Sequence, residues 1–372
     1  MYTKTQNAGL RLAFFDGMRG WAALTVMLAH ICWAVNGHEF EPITRTPFRI
    51  FFDGPFAVYI FFVLSGVVLS LHYMKQRSVA CLTKLVIKRL PRLGIPVLFS
   101  TVFIHFLIIN GFMCNHEAAV IQKPENVWLG AFYSFEPSVK GMIKSIPNVF
   151  LTGDASYNSP VWTMRRELIG SYFIVLVMLA LHFSKPNKAF IIWLASTVIS
   201  LVIAPVMSAF SFGLLISYLF INEKDMLLKL KNNKLMQISA IAVMSVSYML
   251  ILVLTNYGFT GFSAAVMSIT AFLVVGGLLF INIFISFFSC KISRFLGKIS
   301  FPLYVVHFPI ICSFTSYLMI KHPNYSESSG ITVIIYVLSS VLSLTIACLF
   351  YPVEKLSLWF SAKVYIFVAG NE

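Results

Sequence analysis

At 372 residues, 58% hydrophobic and 11% charged, with a mean hydropathy of +0.83, the chain lies far from soluble domains, where about a quarter of residues are charged. The net charge of +14 sits on Lys and Arg in short segments between apolar runs, which excludes a nucleic-acid surface and points to membrane topology. The six cysteines are scattered, with no C-x-x-C or paired-His spacing, so neither a metal site nor a disulfide framework is expected.

Apolar runs of about the 20 residues needed to cross hydrocarbon recur along the whole chain. Spans are predicted at about 12–35, 54–73, 91–113, 161–183, 188–205, 206–221, 235–255, 261–285, 300–320 and 331–353. The pattern implies an all-α polytopic bundle of ten helices, with one membrane domain over 1–372. Pro205 interrupts a continuous apolar stretch and divides it into two helices. With the N-terminus in the cytoplasm, most of the 28 Lys and Arg residues fall in inner segments, so the positive-inside rule puts both termini there. The one sizeable outer segment, about 114–160, is polar and reads as a loop.

The first run, FFDGMRGWAALTVMLAH, carries Arg19 and His30. Eleven residues at 100° each is three turns plus about 20°, so both lie on one stripe, roughly 16 Å apart. A charge inside a span costs a few kcal/mol and normally faces the bundle interior, a partner or water. Asp16, one turn before Arg19, is its expected partner. Two readings stand: Arg19 snorkels while His30 packs, or the stripe is functional, with His30 taking a proton from a hydroxyl near neutral pH.

An inner loop, KQRSVACLTKLVIKRLPRLGIP, brings Lys84, Lys88, Arg89 and Arg92 to the third span. Its R-x-x-R pair suits phosphate, with Pro91 expected to start the helix. The same charges also serve as a topology signal attracting anionic lipid. At the fourth span, PVWTMRREL sets Trp162 at the interface and Glu167 about a turn inside, where Arg165 and Arg166 are its expected partners. His307 lies two turns into the ninth span, and Glu354 at the inner end of the tenth. Nucleotide-binding, serine-hydrolase and zinc-protease motifs are missing.

Six segments in order resemble the membrane-bound acyltransferase family 3, whose bacterial members modify sugars of surface glycans. They are FFDGMRGWAALTVMLAH, FFVLSG at 61–66, KRLPRLGIP, PVWTMRREL, GKISFPLYVVHFP and YPVEK. The resemblance implies transfer of an acyl group, acetyl in the first instance, from cytoplasmic acyl-CoA to a hydroxyl of a glycan or glycolipid, in a bacterial inner membrane. It implies catalytic roles for His30, Arg19, Asp16 and Glu167, and a donor site at Arg89, Arg92 and Lys88. Ser65, Trp162, Tyr304 and His307 are then expected in the substrate pocket. Partners are acyl-CoA, acceptor and membrane lipid, with no metal and no nucleic acid. Arg165 and Arg166 depart from the small or apolar residues of many relatives. Some relatives also carry a soluble hydrolase-like domain, which is not expected here. A secondary transporter or flippase of a lipid-linked sugar is the alternative reading of the buried charges.

Overall fold

The computed structural model describes residues 2–37, 46–122, 125–223, 226, 229–230, 232–256 and 260–370. The chain is 86% helical, with no strand among the described residues. A helix satisfies its own backbone, as hydrocarbon requires. The helices are α1 (Tyr2–Asn36), α2 (Gly54–Gln76), α3 (Val79–Ile109), α4 (Asn115–Ile121), α5 (Val127–Gly130), α6 (Val139–Leu151), α7 (Trp162–His182), α8 (Ala189–Ile203), α9 (Pro205–Asn222), α10 (Lys234–Asn256), α11 (Thr260–Leu278), α12 (Asn282–Phe288), α13 (Lys291–Ile310), α14 (Ser316–Lys321) and α15 (Ser329–Ala369).

Local chemistry sets the starts. Asp53 caps α2 by accepting the Phe56 N–H at 3.0 Å, Ser78 caps α3 and Ser328 caps α15, each satisfying a donor the first turn leaves orphaned. Pro205 begins α9, where its missing N–H costs nothing. The expected break at Pro205 is therefore real: α8 and α9 fold back on each other, with Trp193 Nε1 donating to Ser211 O at 2.9 Å.

Among the described residues, seven helices are long and apolar enough to cross a membrane, or eight if the bent pair α11 and α12 forms one span. The other two of the ten predicted spans fall on α7 and α8, which do not meet that measure. The run at 261–285 bends by 98° between Leu278 and Asn282, α8 has only 15 residues, and α7 carries Arg165, Arg166 and Glu167 in its first turns. The basic segment before residue 91 is not a loop. It is the first part of α3, which runs through Pro91 and Pro96 and packs along α15. Helix α15 continues past Pro352 to Ala369, about 60 Å in all, and this extension braces α3. The outer segment is also more ordered than a loop, since it holds α4, α5 and α6.

Two crossings are tight enough to be backbone-on-backbone. A Cβ on Gly20 would lie 2.4 Å from the Gly297 nitrogen, and one on Gly297 would lie 2.4 Å from the Asp16 carbonyl oxygen, so α1 and α13 touch through glycine. Gly66 and Gly213 do the same for α2 and α9. Lipid tails are as apolar as leucine, so close packing of small residues is what draws membrane helices together. A π-helical turn at Ile311–Thr315 joins α13 to α14. Its Cys312 carbonyl accepts the Cys114 N–H at 3.0 Å, tying the outer segment to the bundle.

Gly20→Ala is expected to lower stability by about 3 kcal/mol through overpacking, read as thermal unfolding in detergent. Gly94→Ala, in α3 with nothing within 4 Å of the added methyl, is expected to raise stability by about 1 kcal/mol on helix propensity.

Candidate active site

A cavity of about 80 Å³ opens among α1, α2, α3, α7, α13 and α15. Its polar lining is Arg19, Ser65, Arg89, Arg92, Thr163, Glu167, Tyr304, Glu354 and Ser357, set among apolar side chains that include Phe61, Leu69, Leu93 and Phe301. Three guanidiniums thus face two carboxyl groups in a largely apolar chamber, where charge interactions are poorly screened.

Glu167 is the knot of the site. It is buried, forms an ion pair with Arg89 from α3, and accepts Ser65 Oγ–H at 2.8 Å to Oε2 and 3.0 Å to Oε1. One carboxylate thereby ties α7 to both α2 and α3. This corrects the expectation that Arg165 or Arg166 would satisfy it. Both are exposed, and Arg166 instead lies over the Trp162 ring at 5.1 Å.

Arg19 and Arg92 differ from Arg89. Neither has an ion pair within 4.0 Å among the described residues, although both lie in the field of Glu354. Asp16 is exposed and makes no ion pair with Arg19, so that expected partnership is also corrected. The tight contact of α1 with Gly297 aims Arg19 into the cavity and leaves Asp16 at its edge.

Beyond Tyr304, toward the C-terminal end of α1, lies a second constellation. His30 Nδ1 is 2.8 Å from His307 Nε2, and the two rings stack with centroids 5.1 Å apart at 9°. His307 Nδ1 is 2.9 Å from the Leu303 carbonyl oxygen. Tyr304 lines the cavity and lies 6.1 Å, ring to ring, from His307; its hydroxyl donates to Pro160 O at 2.8 Å and meets Thr163 Oγ1 at 2.9 Å. Arg19 and His30 therefore do occupy one stripe of α1, with Arg19 lining the cavity and His30 in the histidine pair beside it.

The segment that holds α4 to α6 closes over this pair. Trp128 from α5 stacks on His30 at 5.9 Å, and Trp33 meets it edge-on at 5.1 Å. The last carbonyls of α1, orphaned at any helix end, are capped by side chains of the same segment. Asn126 Nδ2 donates to Trp33 O at 2.8 Å and Gln122 Nε2 to Val35 O at 3.1 Å.

A family model described as an acyltransferase domain, that of the acyltransferase 3 family, matches residues 12–352. The chain belongs to the acyltransferase 3 family. Neither a curated protein nor a solved structure matches it. The apolar helices and the family together make it a multi-pass membrane acyltransferase.

Of the residues that sequence marks in this acyltransferase, the cavity gathers Arg19, Ser65, Arg89, Arg92, Glu167 and Tyr304, while His30 and His307 pair beside it. Trp162 and Lys88 are outside the lining. Trp162 is exposed, and Lys88 Nζ sits 5.3 Å above the Tyr365 ring of α15, next to Lys84 at 5.6 Å. Sequence reasoning noticed Glu354 but gave it no part in the site, and it missed Thr163 and Trp128. Glu354 was findable as a carboxyl group in an apolar helix; Trp128 carried no periodic signal.

Arg89→Ala leaves Glu167 buried and unpaired and is expected to cost about 3–5 kcal/mol. Arg92→Ala breaks no ion pair and should cost clearly less. Unfolding in detergent, followed by tryptophan fluorescence, compares the two.

Proposed function

We propose that this chain transfers an acyl group, acetyl in the simplest case, from cytoplasmic acyl-CoA to a hydroxyl of an exported or surface glycan or glycolipid, from within a bacterial inner membrane. The observation that carries the reading is the hydrogen-bond chain from Leu303 through His307 to His30. A carbonyl only accepts, so His307 Nδ1 holds the hydrogen and its Nε2 holds a lone pair. His30 Nδ1 must then donate to that lone pair, and His30 Nε2 carries the basic lone pair of the dyad. A base oriented by a second group that is itself held by the backbone follows the logic of nucleophile-activating triads.

In this reading His30 Nε2 takes the proton from the acceptor hydroxyl as its oxygen attacks the thioester carbonyl. The C–S bond breaks, the acyl oxygen ester forms, and the proton passes from His30 to the departing thiolate. His307 accepts the Nδ1–H of the transient imidazolium and holds the ring in register. The aromatic surround of Trp33 and Trp128 keeps water from the thioester, which would otherwise hydrolyse.

The roughly 16 Å between Arg19 and His30 along α1 is too long for both to meet one reacting carbonyl. Arg19 therefore belongs to donor binding, with the extended thiol arm of acyl-CoA bridging the cavity and the histidine pair. Lys84 and Lys88 near the inner end of α3, followed by Arg89 and Arg92 deeper in, form a graded path for an anionic donor. The family match leaves the lipid-linked sugar transporter without support of its own.

Membranes containing the chain are expected to move label from radioactive acetyl-CoA into the glycan or glycolipid fraction. His30→Ala should reduce this by about 10²–10⁴-fold, the usual worth of a general base, with His307→Ala losing less. Undiminished labelling by His30→Ala at equal protein level would sink the assignment.

A further inference from the structure

The cavity contains one carboxyl oxygen that nothing among the described residues satisfies. Glu354 Oε2 is buried without a hydrogen-bond partner, and so is Arg89 Nε. The charged neighbours of Glu354 are Arg19, Arg92 and Asp16, yet it forms no ion pair with either arginine within 4.0 Å among the described residues. Two cations and a carboxylate thus face one chamber without closing on each other. A buried polar atom left in that state costs free energy that a ligand recovers by supplying the missing partner.

The chemistry of that partner is constrained on both sides. It must bring a donor for Glu354 and acceptors for the guanidiniums, and it must fit between Phe61, Leu69, Leu93 and Phe301. A phosphate brings acceptors and negative charge alone, and Glu354 and Glu167 would both repel it. A secondary amide brings an N–H and a C=O on one planar uncharged group. We infer that Glu354 is a donor-binding residue that accepts an amide N–H of the thiol arm, and that the Arg19, Arg89 and Arg92 chamber holds this arm rather than the donor's phosphates. The inference rests on acyl-CoA being the donor, and it moves the phosphates to the mouth of the path, toward Lys84 and Lys88. Glu354 lies on α15, which packs along α3, so it faces Arg92 across the chamber from the neighbouring helix.

Binding without turnover tests this, using coenzyme A, pantetheine (the amide arm without phosphates) and adenosine 3′,5′-bisphosphate (phosphates without the arm). Each is titrated against the detergent-purified full chain by calorimetry. Glu354→Ala is expected to weaken coenzyme A and pantetheine by the same factor, about tenfold for one charge-assisted hydrogen bond, and to leave the bisphosphate unchanged. Glu354→Gln, isosteric and still an acceptor, should lose less than Glu354→Ala and shows that the chamber remains folded. Tighter binding of the bisphosphate to either variant would mean that phosphates occupy the chamber and would overturn the inference, as would unaltered pantetheine affinity. Should the parent chain bind neither coenzyme A nor pantetheine, the donor reading itself falls, an outcome distinct from variants that bind as the parent does.

Discussion

Backbone contact between α1 and α13 at Gly20 and Gly297 leaves no space for side chains at the crossing, and the rest of the site follows from that closeness. With the two helices locked at one point, Arg19 sits one residue from the contact and can only enter the cavity. Tyr304 and His307 follow on α13, nearly two and nearly three turns beyond Gly297, and His307 meets His30 from the facing helix. Trp21 Nε1 adds a second clamp near the crossing by donating to Ser293 Oγ at 2.9 Å. In water such a contact would be minor. In lipid, where no hydrophobic drive favours helix association, glycine contacts and interhelical hydrogen bonds carry the geometry.

The Arg89–Glu167 pair shows how the same constraint treats charge. Burying either partner alone would be strongly unfavourable, and together they about break even against an apolar pair. The pair therefore contributes specificity more than stability, fixing which face of α3 meets α7 and where Ser65 of α2 must lie. Its consequence is an uneven chamber: Arg89 is paired, while Arg19 and Arg92 form no ion pair among the described residues. Glu354 tempers that charge without cancelling it, which is the basis for inferring a polar ligand rather than a doubly charged one.

What was legible from sequence was whatever repeats with the helix. The stripe of Arg19 and His30 follows from 100° per residue, and the apolar runs locate every long helix to within a few turns. The basic segment was misread because Pro91 normally begins a helix, whereas packing against the extended α15 carries α3 through two prolines. Pairings across the chain had no local signal at all: Arg89 and Glu167 are 78 residues apart, and His30 and His307 are 277 apart. Arg165 and Arg166 looked like partners for Glu167 because they adjoin it, but consecutive helical residues project to different faces. The outer segment was opaque for another reason. Its helices α4 to α6 are short and held by Gln122, Asn126 and Asn115 to backbone carbonyls, a tertiary device that leaves no periodicity to read.

The spacing along α1 carries a last consequence. A membrane enzyme that takes its donor from one side and its acceptor from the other must keep two aqueous ends apart while joining them chemically. If the cationic chamber and the histidine dyad were adjacent, the reacting carbonyl would lie deep on the donor's side and the acceptor would have to cross most of the bilayer to reach it. Setting them three helical turns apart lets a long, thin, uncharged arm do the crossing instead. In the proposed reaction the arm carries the thioester to the dyad beneath the Trp33 and Trp128 cover, and the arm's bulky charged end stays where it started. On this view Tyr304 stands between the cationic chamber and the dyad, lining the cavity while its ring lies 6.1 Å from His307. Under the proposed reaction, the buried charges that looked costly in a membrane helix would move a reactive group through the bilayer without moving the whole donor.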